Sequence, residues 1–158
     1  MKENLSGIIS LSDSYVEIAS KVAEYFNLTS SNSESLEIIR DKGKVRELFR
    51  DYEFSVKNKV IYDVKDLEEW KTFPAVSKSV SGTGSIDVKV SLYKDDLYKE
   101  TKKMLVKYGE LLIEKYETGN LISHELLVQD GKVLSLGFTN RILGQIPYFV
   151  EVSYSFPS

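Results

Sequence analysis

The sequence has no cysteine and a single histidine, His124. The missing cysteine excludes a disulfide framework and every zinc site built on thiolates. One histidine cannot form a multi-histidine metal site. No apolar run approaches the roughly 20 residues that a membrane-spanning helix needs, so we expect no membrane partner. No basic segment followed by an apolar core marks a secretory signal, and we expect a cytoplasmic protein.

An excess of charge of one sign is also missing. The chain has 21 Lys and Arg against 24 Asp and Glu, a formal net charge of -3, and no long run of one sign. Nucleic-acid-binding domains usually carry a basic excess on one face, so we expect no nucleic-acid partner. The 158 residues, 42% of them hydrophobic, have an ordinary globular composition. They suffice for one core, or for two small lobes that share a cleft.

The first third of the chain is predicted to be mainly helical. Residues 8–11 are expected to form a strand that enters a helix. Ser14 and Glu17 have the spacing of a capping box. Apolar residues then recur at helical spacing up to Phe26, and a second helix is expected to begin near Ser33.

The rest of the chain is predicted to contain hairpins and two further helices. Period-two alternation indicates half-buried strands, and Gly, Asn and Asp between them indicate turns. We expect strands at residues 53–64, 73–80, 86–90, 111–115, 121–128, 132–139 and 147–154, and helices at residues 66–71 and 95–108. Antiparallel hairpins with helices in a separate layer predict an α+β fold.

A glycine-rich turn is the first candidate for chemistry. Gly82 and Gly84 allow the backbone to approach a ligand closely and to direct N–H groups at phosphate oxygens, and Thr83 and Ser85 add hydroxyl donors. Lys78 precedes the turn on the same strand and could reach the same phosphates. The turn is not a Walker A loop, since no Gly-Lys-Ser/Thr follows it. A plain hairpin tip explains the same residues equally well.

Two further segments carry candidate residues. The apolar strand at 111–115 ends in Glu114, Lys115 and Tyr116, which suits a hinge that hydrogen-bonds an adenine edge. A core strand that leaves into solvent is the alternative. Glu125 beside His124 suggests acid–base chemistry, but neighbours on a strand point to opposite faces.

These segments occur in an order that resembles the ATP-grasp superfamily, and within it the carboxylate–amine ligases, including amino-acid ligases, and the related biotin-carboxylase type. The resemblance covers nearly the whole chain. Its motifs are Asp41-Lys42 with Arg46, the strand 73–78, the loop 81–85, the hinge 112–116 with Gly119, the hairpin segments 123–125 and 130–133, and the segment 147–151.

The resemblance implies an ATP-grasp-like α+β fold of two small lobes, expected to be incomplete, with ATP held between them. By likeness, Lys42 and Lys78 are assigned to the phosphates, residues 82–85 to covering them, and 114–116 to adenine. Glu125 is assigned to the ribose or metal edge. The implied reaction joins a carboxylate to an amine through an acyl phosphate, with ATP and Mg²⁺.

The same resemblance gives domain boundaries and partners. Residues 1–50 are expected to end a preceding domain, 51–117 to form the small lobe, and 118–158 to begin the second lobe. The Glu and Glu/Asn metal ligands typical of the family are not recognised, so the remainder of an ATP-grasp enzyme is the expected partner, and this chain alone is expected to be inactive. Exposed apolar surface also favours homo-oligomers.

Three positions depart from the family pattern. Ser79 stands where the family usually has Pro, Asp87 where it usually has Gly, and Leu121 where an acidic residue often follows the hinge. A carboxylate at 87 would repel phosphate unless it faces away. These departures leave two alternatives open: a non-catalytic nucleotide-binding or interaction module, and a scaffold that binds no nucleotide.

Overall fold

The computed structural model describes residues 5–145 and 150–158. Within these residues the chain folds into helices and two antiparallel sheets, which confirms the predicted α+β class. The helices are α1 Val16–Tyr25, α2 Ser33–Arg40, α3 Lys42–Leu48 and α4 Lys94–Tyr108, with a 3-10 turn at Val64–Leu67. The strands are β1 Asn58–Ile61, β2 Ala75–Ser79, β3 Lys89–Ser91, β4 Leu111–Lys115, β5 Leu121–Gln129, β6 Lys132–Leu143 and β7 Glu151–Ser155.

The start of α1 differs from the prediction. Residues 8–11 form no strand, and nearby only an isolated bridge joins Gly7 to Thr29. The predicted capping box is also wrong, because α1 begins without any side-chain cap. Glu17 instead contacts Arg40 of α2 at 3.0 Å. Glu17 also pairs with Lys21 of its own helix at 2.6 Å, so ion pairs, and not a helix cap, engage the carboxylate that the spacing assigned to capping.

The next two helices begin at side-chain caps. Asn32 accepts a hydrogen bond from the backbone N–H of Ser35 at 2.8 Å, and Asp41 accepts one from Lys44 at 3.0 Å. Each cap satisfies a donor that the first helical turn leaves unpaired. The cap at Asp41 ends α2 and starts α3, so that Lys42 becomes the first residue of the new helix.

The first sheet, made of β1–β4, carries the core of the molecule. Its strand order is β1-β4-β2-β3, which puts the apolar strand β4 between two neighbours. Helix α4 packs on this sheet, and the core between them is buried from solvent. Its buried members are Ile61, Leu67, Trp70, Ala75, Leu97, Met104, Leu111 and Ile113. The predicted hairpin is confirmed, since β2 pairs antiparallel with β3. Three strands of this sheet are shorter than expected: β1 spans Asn58–Ile61, β2 spans Ala75–Ser79, and β3 begins only at Lys89.

The second sheet, made of β5, β6 and β7 in that order, has most of its apolar side chains in solvent. Asp130 and Gly131 form the two-residue turn between β5 and β6, both with positive φ, as this kind of hairpin requires. Part of the predicted strand 147–154 lies outside the described residues, and β7 begins at Glu151. Among the helices that the structure describes, none is long and apolar enough to cross a membrane.

Candidate functional site

A cleft of about 800 Å³ lies between the helical segment and the first sheet, and it reaches the start of the second sheet. This volume falls in the range typical of ligand pockets, roughly 300–1,000 Å³. The cleft is lined by all the predicted site residues except Glu125, namely Lys42, Lys78, Gly82, Thr83, Gly84, Ser85, Glu114, Lys115 and Tyr116. Residues from three separate stretches of sequence therefore meet at one place.

Lys42 ties the start of α3 to the glycine-rich loop. Its backbone N–H donates to the carbonyl of Val80 at 2.9 Å, and its ammonium group donates to the carbonyl of Gly82. Burial lowers the pKa of Lys42 below its usual value, and the nearby positive charge of Lys78 lowers that pKa further. Both causes disfavour the charged form of Lys42, and an anion bound beside it would act in the opposite direction.

A buried carboxylate stands beside these cations. Glu114 of β4 contacts Lys78 Nζ through one oxygen and Arg46 Nε through the other, each at 2.5 Å. Burial of the carboxylate is costly by itself, and two cationic partners offset that cost. The prediction assigned Glu114 to the adenine hinge, and in this structure its carboxylate holds the cations. Arg46 lines the cleft as well, although the predicted site residues do not include it. The sequence signal that points to it is the motif of Asp41-Lys42 with Arg46.

The glycine-rich loop lines the same cleft as these side chains. Gly84 and Ser85 have φ values of 63° and 56°, in the left-handed region. Glycine adopts this region without steric cost, whereas most other residues avoid it. The backbone therefore turns sharply here, and the whole loop, from Ser81 to Ser85, lines the cleft.

The opposite edge of the cleft is the end of β4. The backbone N–H of Tyr116 donates to the carbonyl of Pro74 at 2.9 Å, which fixes the chain as it leaves the sheet. Lys115 pairs with Glu117 at 2.7 Å. Leu121, one of the departures from the family pattern, also lines the cleft and adds an apolar side chain to it.

Two predicted features lie elsewhere. Glu125 does not line the cleft, and its carboxylate accepts a hydrogen bond from Thr139 at 3.2 Å. This placement gives its predicted role at the ribose or metal edge no support. His124 stacks on Phe138 with ring centroids 4.2 Å apart and contacts Ser135 at 2.8 Å. Neighbouring residues on β5 thus have separate partners, as the alternation of a strand requires.

The part of the chain that the structure describes contains no ligand set for Mg²⁺. No group of three or more Asp, Glu or His side chains is placed to hold a metal ion there. Of the carboxylates that line the cleft, Glu114 and Glu117 are each engaged in ion pairs with cationic side chains, which leaves Asp13 among the described lining residues. The residues that the structure describes therefore do not fit a Mg²⁺ site.

Comparison with known proteins identifies the fold. No family model and no curated protein sequence matches the chain. Among solved structures, the L-amino acid ligase from Bacillus licheniformis superimposes with a TM-score of 0.81, at 22% identity over 95% of this chain. The VanG D-Ala:D-Ser ligase from Enterococcus faecalis gives 0.72, at 16% identity over 88%.

A third similar structure is the biotin carboxylase domain dimer of the Hydrogenobacter thermophilus 2-oxoglutarate carboxylase, in complex with MgADP, ADP and bicarbonate. It gives a TM-score of 0.65, at 18% identity over 82% of this chain. The chain spans 36%, 45% and 32% of the lengths of these three proteins. The ATP-grasp-like fold that the motifs indicated is thereby confirmed in three dimensions. The chain has the ATP-grasp fold.

Proposed function

We propose that the cleft binds ATP, and that the chain supplies the ATP-binding part of an ATP-dependent carboxylate–amine ligase. One observation carries the proposal. The cations Lys42, Lys78 and Arg46 and the glycine-rich loop all line a single cleft, whose far edge is the end of an apolar strand. A polyanion joined to a flat, weakly polar ring matches that distribution of charge and apolar surface.

In this arrangement the triphosphate lies under the glycine-rich loop. Lys42 and Lys78 supply positive charge on one side, and the curled backbone at residues 82–85 supplies N–H groups and hydroxyls on the other. Adenine lies against the edge formed by residues 114–116.

Binding changes the partner of Lys78. In the present structure its ammonium group contacts Glu114. When phosphate enters, Lys78 turns toward it, and Glu114 keeps Arg46, which is already at 2.5 Å, as its counter-charge. The buried carboxylate therefore stays paired, and the cost of an isolated buried charge is avoided.

The proposed reaction has two steps. A carboxylate oxygen of the first substrate attacks the γ-phosphorus, the bond to the β-phosphate oxygen breaks, and ADP leaves. An amine then attacks the acyl carbon, inorganic phosphate leaves, and the amine nitrogen loses a proton. This chain contributes position and positive charge to the first step, where charge spreads over the phosphoryl oxygens.

The proposal extends to domains and partners. We propose that residues 1–50 end a preceding domain, 51–117 form the small lobe and 118–158 begin the second lobe. The division is supported by the two sheets, whose strands lie at 58–115 and 121–155. The remainder of an ATP-grasp enzyme is the proposed partner, and the metal ligands are proposed to belong to it.

A charge-removal experiment tests nucleotide binding. Lys78→Ala removes a cation that lines the cleft, and we expect it to weaken ATP binding about tenfold or more, as loss of a charge-assisted contact does. Lys99→Ala removes an exposed lysine of α4 that does not line the cleft, and we expect less than about a twofold change because exposed charges interact weakly. Titration calorimetry with ATP, with and without Mg²⁺, gives both affinities.

Thermal unfolding of both variants accompanies the titration, because Lys78 also neutralises Glu114. Equal losses of affinity in the two variants would contradict the site. Failure of the unsubstituted chain to bind ATP at millimolar concentration would overturn the nucleotide assignment and leave the interaction module as the better explanation.

A further inference from the structure

The glycine-rich loop is fixed at both of its ends. At its start, Lys42 holds the carbonyl of Gly82. At its end, the carboxylate of Asp87 accepts hydrogen bonds from the Tyr108 hydroxyl at 2.5 Å and from Lys107 Nζ at 2.6 Å. Only residues 83–86 lie between these two anchors.

The second anchor joins the loop to a rigid element. Lys107 and Tyr108 form the last turn of α4, which is held in the core through Leu97 and Met104. Tyr108 itself packs against that core as a partly buried side chain. Asp87 is thus hydrogen-bonded to a helix that packs on the first sheet.

The backbone conformation of Asp87 is compatible with these contacts to α4. Its φ is 55°, a left-handed value that Asp tolerates better than most residues. The carboxylate does not line the cleft but points toward α4, which removes the repulsion expected between this departure from the family pattern and phosphate.

The charges around the carboxylate keep it ionised. The hydrogen bonds from Lys107 and Tyr108 lower the pKa of Asp87, and the positive charge of Lys89 on β3 acts in the same direction. Asp87 in turn raises the pKa of Lys107. The contact is therefore charge-assisted throughout the neutral range.

We propose that Asp87 is a positioning residue that clamps the phosphate-covering loop to α4 and so preorganises it for the triphosphate. This inference rests on the proposed binding of ATP. The clamp limits the conformations that residues 83–86 can adopt before a nucleotide arrives, so less conformational entropy is lost on binding. Asp87 itself is not among the residues proposed to contact the nucleotide.

A double-mutant cycle tests the clamp. Asp87→Ala removes the acceptor, and Tyr108→Phe removes only the hydroxyl while it keeps the ring in the core. The cycle cancels the backbone strain that Ala brings at a positive φ, because that strain is present in both Ala variants. Lys103→Met is the matched control, since it removes an exposed ion pair to Glu100 on the same helix.

Two measurements are made on the four proteins and the control. Amide hydrogen exchange of residues 83–88, without nucleotide, reports whether the loop is held. Affinities for ATP and for AMP report whether the holding acts on the phosphates. We expect each clamp variant to speed loop exchange and to weaken ATP binding about three- to tenfold, the size of one net hydrogen bond. AMP affinity and the Lys103→Met protein should change less than about twofold.

The outcomes separate the clamp from the proposed function. Non-additive losses in the cycle, confined to ATP and matched by faster exchange, support the clamp. Unchanged exchange overturns it, and so do additive effects or equal losses for AMP, which would indicate a general loss of stability. Absence of ATP binding by the unsubstituted chain would instead overturn the proposed function, whatever the exchange shows.

Discussion

At the scale of residues, the cleft places several cations around one carboxylate. Lys42, Lys78 and Arg46 contribute three positive charges to the lining, and Glu114 contacts two of them. The pKa of Lys42 is lowered by burial and by the charge of Lys78. The surroundings of Lys42 therefore disfavour its charge, whereas a bound phosphate would favour it.

The lowered pKa of Lys42 predicts that the affinity for ATP depends on pH. A lysine with a lowered pKa loses its charge at a lower pH than an ordinary lysine, and a polyanion binds best to the charged form. We expect ATP affinity to fall as pH rises, beginning below the range in which surface lysines titrate, by about tenfold in all. Titrations of the unsubstituted chain across this pH range measure the decline.

Two variants isolate the contribution of Lys42. Lys42→Met should bind ATP more weakly at neutral pH and should flatten this part of the profile. Lys44→Met, on the exposed face of the same helix and paired with Glu37, should leave the profile unchanged. A profile that stays steep in Lys42→Met would assign the titration to another group.

Sequence spacing predicted some of these residue contacts and not others. Lys78 and the loop at 81–85 are neighbours in sequence, so one hairpin brings them together. The partners of Glu114 and Asp87 could not be found in this way. Arg46 is 68 residues from Glu114, and Tyr108 is 21 residues from Asp87. Contacts of this kind depend on how helices and sheet pack, which local periodicity does not encode.

At the scale of elements, strong local signals were the most reliable. The bounds of β4 match the predicted strand 111–115, because a continuous apolar run suits a strand buried on both faces. The short apolar run at 8–11 gave a wrong prediction, since no strand among the described residues pairs with it. A strand exists only where a partner satisfies its backbone groups.

The end of helix α4 allows a test of one local signal, the glycine that ends a helix. Gly109 ends the helix with a φ of 75°, and its N–H donates to the carbonyl of Leu105 at 2.8 Å. Nothing lies within 4 Å of the Cβ that an alanine would add there, so Gly109→Ala isolates the backbone strain. We expect a loss of about 1 kcal/mol in the free energy of unfolding, measured by urea denaturation.

Gly7→Ala is the matched control for this substitution. Its added Cβ would also meet no atom within 4 Å, and Gly7 does not have a positive φ. We expect its effect to stay within about 0.5 kcal/mol, as for most surface substitutions. Equal losses in the two variants would mean that the left-handed conformation of Gly109 is not the cause.

At the scale of the whole molecule, the two sheets differ in how they are buried. The residues Leu111, Leu112 and Ile113 of β4 are fully buried, whereas most residues of β5 and β7 are exposed. The apolar side chains of the second sheet that remain exposed include Leu126, Leu127, Val128, Val133, Leu134, Leu136, Ile142, Val152 and Tyr154. Burial of apolar area is the main source of stability, so the second sheet has much less of it.

The difference predicts two separable unfolding transitions. Trp70 is the only tryptophan and is buried in the core of the first sheet, so its fluorescence reports that sheet alone. Far-ultraviolet circular dichroism reports both sheets. In urea we expect the dichroism to begin its decline before the fluorescence changes, because the exposed second sheet opens first.

Two glycine substitutions assign the transitions. Gly137→Ala, where the added Cβ would lie 3.0 Å from the Phe156 ring, should move only the early transition, because it affects β6 and the residue after β7. Gly109→Ala should move only the later transition, which the Trp70 fluorescence reports, since α4 packs on the first sheet. Superimposable curves from the two probes, shifted together by either variant, would instead show that the two sheets unfold as one cooperative unit.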